Sequence, residues 1–339
     1  MLAWTVGAGG LLGSSVRAAL EARDGIAEFD AQTKLPWGSD GDLADALATL
    51  GPRFLREATA QGGWAVVWCA GATVVASPAG AVDRDVQAFT LFLGALGAAL
   101  AANPAAASLP GHLVLASSAG GVWGGHTGAP IAEATPVLAL SDYGRGHLRR
   151  EAALAAFVTG HPAVRAAVVR LSNLYGPGQR LDKPQGLVSH IARSLIHRRP
   201  VHIYVSLDTV RDYLLADDAG HGVVDVLGLL RRMPDPPPEP VVKILASETE
   251  TSVGALLAVF RRVTRQRVAV TAGLSPLGRL QPASLRFRSG VWTEAGARGR
   301  TPLAEGVAQV YRRYLARFAS GGLPPPRLAD AGSERDNRA

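Results

Sequence analysis

Gly7, Gly10 and Gly13 lie in a segment that follows the apolar run Leu2–Val6 and opens a helical pattern near Leu11. Glycines at a strand-to-helix turn let the backbone approach a pyrophosphate, and the helix N-terminus stabilises its negative charge. Glycine spacing alone is a weak signal, but the strand before it and the helix after it strengthen it. The segment therefore predicts a dinucleotide-binding site.

A carboxylate follows the next apolar run and bears on the choice of dinucleotide. Asp30 comes directly after Ile26–Phe29, where a side chain can accept hydrogen bonds from the ribose hydroxyls of adenosine. A negative charge there disfavours the 2′-phosphate of NADP, so the sequence favours NAD. Lys34 lies nearby in the sequence and keeps NADP open.

The elements that must position these residues alternate along the first half of the chain. Apolar runs without polar alternation are typical of parallel strands covered on both faces. Three such runs are Trp64–Ala70, His112–Ala116 and Ala163–Leu171, and helical patterns over Val82–Ala102 and Ser141–Phe157 separate them. Strands that alternate with helices predict an α/β fold, a Rossmann-type doubly wound parallel sheet.

Beyond residue 174 the alternation breaks, which indicates a smaller C-terminal α/β substrate domain. We expect residues 1–174 to form the dinucleotide-binding domain, with 201–232 partly returning to it, and 175–200 with 233–320 to bind substrate. The later elements are predicted as a helix, a strand, a helix and a strand over Leu187–Ile196, Val201–Val205, Asp217–Leu230 and Val241–Ala246. Residues 321–339 are rich in Pro, Gly and charge, which predicts disorder.

Composition excludes several classes of protein. Cys69 is the single cysteine of 339 residues, so no intrachain disulfide can form, and the eight histidines lack zinc-ligand spacing. The formal charge of +7 is scattered, which favours a phosphate-bearing small molecule over a nucleic acid. Residues 89–102 are apolar but too few to span a membrane. We expect a cytoplasmic protein that binds no metal, membrane or nucleic acid.

Several segments resemble, in the right order, those of the extended short-chain dehydrogenase/reductase family. The resemblance is to its NAD-dependent nucleotide-sugar epimerase/dehydratase type, that of UDP-galactose 4-epimerase, and it runs to about residue 218. Beside the glycine turn, the matching segments are residues 42–43 (DL), 69–71 (CAG), 116–118 (ASS), 122–124 (VWG), 170–178 (RLSNLYGPG), 211–213 (RDY) and 217–218 (DD).

The resemblance implies roles for individual residues. It implies a catalytic set of Tyr143, Ser118, His147 and, with less support, Ser117. It implies contacts with the cofactor by Gly7, Gly10, Leu11, Leu12, Gly13, Asp30, Asp42, Leu43, Cys69, Ala70, Gly71, Tyr143 and His147. The substrate contacts that it implies are Ser118, Asn173, Leu187, Tyr204 and Arg211, the last on the nucleotide diphosphate. Without the resemblance, Arg211 would also fit a surface ion pair with a neighbouring aspartate.

The chain departs from the family pattern at one catalytic position. Tyr143 and His147 occupy the place of the motif Tyr-x-x-x-Lys, with histidine where the family has lysine. In the family the lysine holds the nicotinamide ribose and lowers the pKa of the tyrosine. A phenol with the ordinary pKa of about 10 is a poor base at neutral pH, and a histidine is charged only below about 6.5. We therefore expect cofactor binding to survive this replacement more surely than catalysis.

The resemblance implies an enzyme that epimerises a nucleotide-activated sugar, UDP- or dTDP-linked, through a transient keto intermediate. Tyr143 is the base and NAD carries the hydride. No Asp-Glu pair follows Ser118, which argues against dehydration. Two alternatives stay open: an NAD(P)H-dependent nucleotide-sugar ketoreductase, and a dinucleotide-binding sensor without turnover. The helix over residues 82–102 is expected to pack, together with the helix of Tyr143, against its copy in a homodimer.

Overall fold

Six parallel strands form the main sheet of the computed structural model, which describes residues 1–128, 130–181, 186–234, 237–273, 284–297 and 300–326. The strands are β1 (Leu2–Val6), β2 (Ala27–Glu28), β3 (Trp64–Trp68), β4 (Gly111–Ser118), β5 (Val164–Leu171) and β10 (Val241–Leu245). Their order across the sheet is β10-β5-β4-β3-β1-β2. This arrangement confirms the predicted Rossmann-type α/β fold.

The strand order reverses beside β1, which pairs with β2 on one side and with β3 on the other. In register, Val6 at the end of β1 stands opposite Trp68 at the end of β3. In open α/β sheets, ligands bind at such a reversal, outside the carboxyl ends of the strands. The topology therefore brings the glycine turn and residues 69–71 to the same edge of the sheet.

Helices cover both faces of the sheet because its strands are apolar on both sides. On one face lie α1 (Leu11–Glu21) and α8 (Ala216–Arg232), packed on small residues such as Ala3 and Ala65. On the other lie α2 (Asp40–Ala60), α3 (Ala79–Ala101) and α6 (Asp142–Gly160). That second face holds an aromatic cluster in which Trp4 contacts Phe29, Phe54 and Phe92.

The C-terminal part forms a second, smaller core. Its strands pair two by two: β6 (Asn173–Tyr175) with β9 (Tyr213–Leu215), β7 (Val201–Ile203) with β12 (Val270–Ala272), and β8 (Val210–Arg211) with β11 (Thr251–Ser252). Helices α7 (Leu187–Ile196), α9 (Val253–Thr264) and α10 (Leu303–Ala319) pack around buried Phe260 and Tyr314. The two short helices are α4 (Pro104–Ala107) and α5 (Ala119–Val122).

Most predicted elements are present, with ends that shift by a few residues, and α7 covers the predicted range. The division of the C-terminal half differs from the expectation in one place. Strand β10 joins the main sheet beside β5, although it belongs to the segment expected to bind substrate. Within residues 201–232, which were expected to return partly to the dinucleotide-binding domain, α8 packs on the main sheet whereas β7 pairs outside it. Hydrophobicity defines a strand, but its partner depends on tertiary packing.

The expected tail, residues 321–339, lies largely beyond the described part of the chain, which ends at residue 326. None of the helices in the described ranges combines the length and apolarity needed to cross a bilayer.

Candidate active site

The glycine turn after β1 keeps its shape through close backbone contacts. Gly7 has a φ of +90°, a backbone conformation that residues other than glycine rarely adopt. A Cβ on Gly7 would lie 2.6 Å from the backbone nitrogen of Ala70, and a Cβ on Gly13 would lie 2.2 Å from the carbonyl oxygen of Gly7. The N–H of Gly10 donates to that same carbonyl at 3.0 Å. Sterics of the turn itself therefore require glycine at positions 7 and 13.

The turn presents the N-terminus of α1 to a ligand. Gly10 is the N-cap residue, and no side chain in the described ranges caps this helix. Gly9 is exposed, and a Cβ placed on it meets none of the described atoms within 4 Å. Free N–H groups at the first helical turn, where Leu11 and Leu12 lie, favour an anion. The residues present therefore fit the pyrophosphate of a dinucleotide.

We expect Gly13→Ala to weaken NAD binding by about tenfold or more, because the added methyl group collides with the carbonyl of Gly7 and opens the turn. The measurement is NAD affinity by isothermal titration calorimetry. Gly94→Ala is the matched control, since a Cβ on this helical glycine of α3 meets nothing described within 4 Å. Equal NAD affinities of the Gly13→Ala variant and the wild type would contradict the assignment of this turn.

The segment after β3 lies directly against the glycine turn. The N–H of Cys69 donates to the carbonyl of Val6 at 2.8 Å, and Ala70 contacts Gly7. Burial raises the pKa of the Cys69 thiol to about 12, so it is not a nucleophile at neutral pH. Gly71 is exposed beside it. The structure therefore brings residues 69–71 and the glycine turn together, as the resemblance implies.

The residues expected near adenosine have different environments. Asp30 is exposed at the end of β2, and its Oδ1 accepts from the N–H of Gln32 at 2.9 Å. Asp42 is exposed in the first turn of α2. Leu43, by contrast, is 1% exposed and packs in the core. The roles of Asp30 and Asp42 stay predictions, whereas the side chain of Leu43 packs in the core and its backbone N–H donates to the carbonyl of Ser39 at 3.0 Å.

Tyr143 and Ser118 are brought together by a close approach of α6 to α5. Ser118 ends β4 and caps α5, with its Oγ accepting from the N–H of Gly121 at 3.1 Å. A Cβ on Gly144 would lie 2.1 Å from the carbonyl oxygen of Gly121, so only glycine permits this approach. The Tyr143 ring then packs on Gly121, beside the Ser118 side chain.

Four influences act on the Tyr143 phenol. Burial raises its pKa above the ordinary value, and the carboxylate of Asp85 acts in the same direction. The hydrogen bond with Ser118 and the positive charge of Arg150 lower that pKa. Burial dominates in the absence of a bound ligand, so the phenol is protonated at neutral pH. The two opposing groups are those that favour the phenolate.

His147 is buried behind Tyr143, not on the surface. Its ring meets the Tyr143 ring edge-on with centroids 4.6 Å apart, and its Nδ1 lies 3.2 Å from Ser117 Oγ. Ser117 in turn donates to Glu151 at 2.6 Å, and Glu151 is paired with Arg170 at 2.6 Å. His147 is therefore a buried residue of the helix.

Ser117 and Ser118 take separate places in this arrangement. The two serines are adjacent in the sequence at the end of β4, but Ser118 contacts Tyr143 whereas Ser117 contacts His147 and Glu151. Since neighbouring residues of a strand point to opposite sides, only one of them can serve the phenol. The structure favours Ser118 for that position.

His147 is held in its neutral form. Burial and then the charge of Arg150 lower its pKa well below the ordinary value. Arg150 Nη2, which can only donate, lies 3.0 Å from Nδ1 and 3.2 Å from Nε2 of His147, so a ring nitrogen with a lone pair must face it. An imidazolium has no lone pair for that contact. His147 therefore does not replace the charge of the family lysine.

We expect the free energy of unfolding to fall as the pH is lowered from about 6.5, the ordinary pKa of histidine. His147 and His112 both have lowered folded-state pKa values, that of His112 to about 4, so their contribution is complete above the unfolded pKa and is lost in acid. Each adds a slope of at most about 1.4 kcal/mol per pH unit. Urea denaturation between pH 4 and 7 measures this, and the double variant H112Q/H147Q should flatten the curve whereas H221Q, at an exposed position, should not.

The residues expected to meet the substrate lie at the carboxyl end of the sheet and on the second core. Asn173 donates through Nδ2 to the carbonyl of Asp212 at 2.9 Å. Arg211 is half-buried, and its Nη1 donates to the carbonyl of Val210 at 2.8 Å. Asp212 is 2% exposed, and its carboxylate accepts from Ser172, Ser247 and Thr249. Through these hydrogen bonds, Asp212 connects the start of β9 to the loop after β10.

Leu187 and Tyr204 lie on the smaller core. Leu187 begins α7 and is half-buried against that core, whereas Tyr204 is 40% exposed. Glu133 accepts from the backbone N–H groups of Ile244 and Gly290 and from the hydroxyl of Ser289. These bonds lower its pKa and give it a structural role.

Arg150 and Glu151 belong to none of the motifs recognised in the sequence. Arg150 stands seven residues after Tyr143, so the two share a helix face with His147 between them. A strip of polar residues at positions 143, 147, 150 and 151 on a helix that must pack against the sheet was the available signal. Both side chains are largely buried.

A profile of the NAD dependent epimerase/dehydratase family matches residues 5–237. The chain belongs to this family. Its fold is similar to that of UDP-glucuronic acid 4-epimerase from Bacillus cereus, with TM-score 0.72 at 16% identity over 94% of this chain and 100% of that one. It is similar also to UDP-glucose 4-epimerase from Thermotoga maritima, with TM-score 0.73 at 19% identity over 94% and 100%.

A curated relative is the dTDP-4-dehydro-6-deoxyglucose reductase of Escherichia coli, 30% identical over 106 residues. The match covers 31% of this chain and 33% of the reductase, so the chain spans about a third of that relative. Membership in the epimerase/dehydratase family confirms the predicted NAD-dependent enzyme class. The reaction and the roles of single residues remain predictions.

Proposed function

We propose that the protein epimerises a nucleotide-activated sugar with NAD, through a transient keto intermediate. The observation that carries the proposal is the packing of the Tyr143 ring beside Ser118, against Gly121, at the carboxyl end of β4. This phenol stands on the sheet edge that also carries the glycine turn, so a dinucleotide on that turn and a sugar beside Ser118 can meet at one point.

In the proposed reaction, Ser118 orients a sugar hydroxyl toward Tyr143. Tyr143, in its phenolate form, would take the proton of that hydroxyl, and NAD held at the glycine turn would supply the acceptor, and later the donor, of the hydride on the same carbon. A planar ketone has two faces, so return to the other face inverts the centre with no net redox change. Tyr143 then gives its proton back to the oxygen. A proton transfer through a positioned side chain contributes about 10²–10⁴-fold to a rate.

The nucleotide is proposed to lie against the smaller core. Arg211 suits a diphosphate because a guanidinium fork matches phosphate geometry, and burial already lowers its pKa without removing its charge. Asn173 directs its amide nitrogen to the backbone and keeps its side-chain oxygen as an acceptor. Leu187 and the exposed face of Tyr204 supply apolar surface for a UDP or dTDP base.

A ketoreductase is the second candidate, and the match to the E. coli reductase favours it. Such an enzyme would use the same Tyr143 in reverse, giving a proton to the oxygen of a keto sugar, with NAD(P)H consumed in each turnover. Dehydration is not proposed, because Ala119 and Gly120 stand after Ser118 where an acid–base carboxylate pair would be needed. A binding protein without turnover remains the alternative if neither reaction is found.

Incubation with a panel of UDP- and dTDP-sugars tests the proposal and separates the candidates. An epimerase converts the sugar with the cofactor that copurifies and consumes no added NAD(P)H, whereas a reductase needs NAD(P)H in stoichiometric amounts. Analysis of the products by ion-exchange chromatography and of the bound dinucleotide by mass spectrometry gives both readouts. Turnover of no panel sugar, with NAD bound, would favour the sensor alternative.

We also propose a homodimer formed by α3 and α6. These helices pack side by side, and their outer faces carry small exposed residues, Thr90, Gly94 and Ala98 on α3 and Ala152 and Ala156 on α6. Small side chains allow two helix pairs to approach closely. Sedimentation velocity at micromolar concentration should show a dimer, and Gly94→Arg should give the monomer. A monomeric wild type would remove this proposal.

A further inference from the structure

Arg150 on α6 is a buried cation close to the reactive phenol. It is 4% exposed, and its Nη2 lies 3.0 and 3.2 Å from the two ring nitrogens of His147. Its Nη1 lies 3.4 Å from the carbonyl oxygen of Ala70 and 3.5 Å from the position that a Cβ on Gly71 would take. The guanidinium thus stands between the helix of Tyr143 and the segment that follows β3.

The direction of the side chain explains how a residue two helical turns away comes close to Tyr143. Side chains on a helix point toward its N-terminus, so Arg150 reaches back along the stripe that begins at Tyr143 and continues through His147. Tyr143 and Arg150 interact electrostatically, each favouring the charged form of the other. Spacing and direction together put the cation behind the phenol.

No carboxylate in the described part of the chain pairs with Arg150. Glu151 follows it but is bonded to Ser117 and Arg170. Asp85 on α3 is nearby, but it accepts from the N–H groups of Ala72 and Thr73. Arg150 Nε is buried without a hydrogen-bond partner among the described residues. An unpaired buried cation is costly, so its charge is available to an anion that forms beside it.

We propose that Arg150, reaching past a neutral His147, supplies the positive charge that stabilises the Tyr143 phenolate in place of the missing lysine. The inference rests on the proposed function, since it assigns a source of charge to the same phenol. Arg150 acts through Tyr143 and is in that sense a positioning residue. His147 has a separate part: its ring separates the two groups and, through Ser117, ties them to β4.

The test measures the phenolate directly and needs no substrate. In protein with ¹³Cζ-labelled tyrosine, the Tyr143 signal is assigned by its loss in Tyr143→Phe and followed from pH 6 to 11. Removal of a nearby opposite charge shifts a pKa by about 1–3 units, so Arg150→Met should move the Tyr143 midpoint upward by that amount. Arg150→Lys should restore most of the shift. Arg149→Met is the matched control, since Arg149 lies on the same helix with an exposed side chain.

His147→Gln provides an independent arm if Arg150→Met does not fold. The proposal predicts that the Tyr143 midpoint changes little in His147→Gln, because the histidine carries no charge. A Tyr143 midpoint that is raised in His147→Gln but unchanged in Arg150→Met would overturn the proposal. So would a midpoint in Arg150→Lys that is as high as the one in Arg150→Met. Because these readouts require neither sugar nor turnover, a failure of the proposed reaction would leave them interpretable.

A charge-swap variant extends the test to activity. The double variant H147K/R150M places an ammonium group where the family has it and removes the guanidinium. Once a sugar that the protein turns over is known, the pH–rate profile of Arg150→Met should shift to higher pH together with the pKa of Tyr143. The H147K/R150M variant should return the profile to that of the wild type. Loss of rate in Arg150→Met without any change in the profile would mean a purely structural role.

Discussion

Tyr143→Phe should abolish epimerisation, with a loss of about 10²–10⁴-fold in kcat. The substitution removes one oxygen and leaves the ring in place against Gly121, so the fold and the glycine turn are unaffected. We expect the midpoint of urea denaturation to equal that of the wild type. The proton of the sugar hydroxyl then has no acceptor, and hydride transfer cannot proceed.

Tyr311→Phe serves as the matched control for that result. The hydroxyl of Tyr311 on α10 also makes a hydrogen bond, accepting from Gln266 Nε2 at 2.9 Å, but Tyr311 packs against the smaller core. Its variant should turn over at the wild-type rate. A Tyr143→Phe enzyme that keeps more than a tenth of wild-type kcat would contradict the role of the phenol as base.

Glu151→Leu should lower the free energy of unfolding by about 3–5 kcal/mol, the cost of leaving one member of a buried ion pair alone. The side chains of Arg170 and Glu151 are 7% and 11% exposed, and the guanidinium of Arg170 also lies over the Trp123 ring, 4.6 Å from its centroid. Without the carboxylate of Glu151, the buried guanidinium of Arg170 loses its ion-pair partner, and the hydroxyl of Ser117 loses its hydrogen-bond acceptor.

The control for Glu151→Leu is Asp83→Asn, which breaks an ion pair with Arg149 whose side chains are both more than half exposed. Exposed pairs contribute about 0–1 kcal/mol. Urea denaturation of both variants at pH 7 gives the comparison. Similar small losses in the two would mean that the Arg170–Glu151 pair is replaceable by apolar packing, and that the network around Ser117 does not depend on it.

The sequence was sufficient for the fold and for the order of motifs along the sheet edge. Strand runs without polar alternation predict a parallel sheet, and glycine at position 13 is explained by its contact with the carbonyl of Gly7 within the turn. Tyr143 and Ser118 meet as the resemblance implies. These features are local or follow from one topological rule, so spacing in the chain carries them.

The spacing of residues in the sequence could not predict the contacts made between different helices and strands. The burial of His147 depends on how closely α6 approaches α5 and α3, which Gly144 and Gly146 set through contacts with Gly121 and Val82. The same packing turns Arg150 inward and leaves Arg149, its neighbour in sequence, in solvent. A single arginine in an arginine-rich chain gives no sign of which side it will take until the helix face is fixed.

The measurement that tests the central claim most directly is epimerisation of an unlabelled nucleotide sugar in D₂O, followed by mass spectrometry of the product. If Tyr143 moves only the hydroxyl proton and the carbon-bound hydrogen travels as a hydride held within the protein, the new epimer carries no carbon-bound deuterium. One deuterium at the inverted carbon would mean removal of a proton from carbon instead, and it would contradict the mechanism proposed for this site.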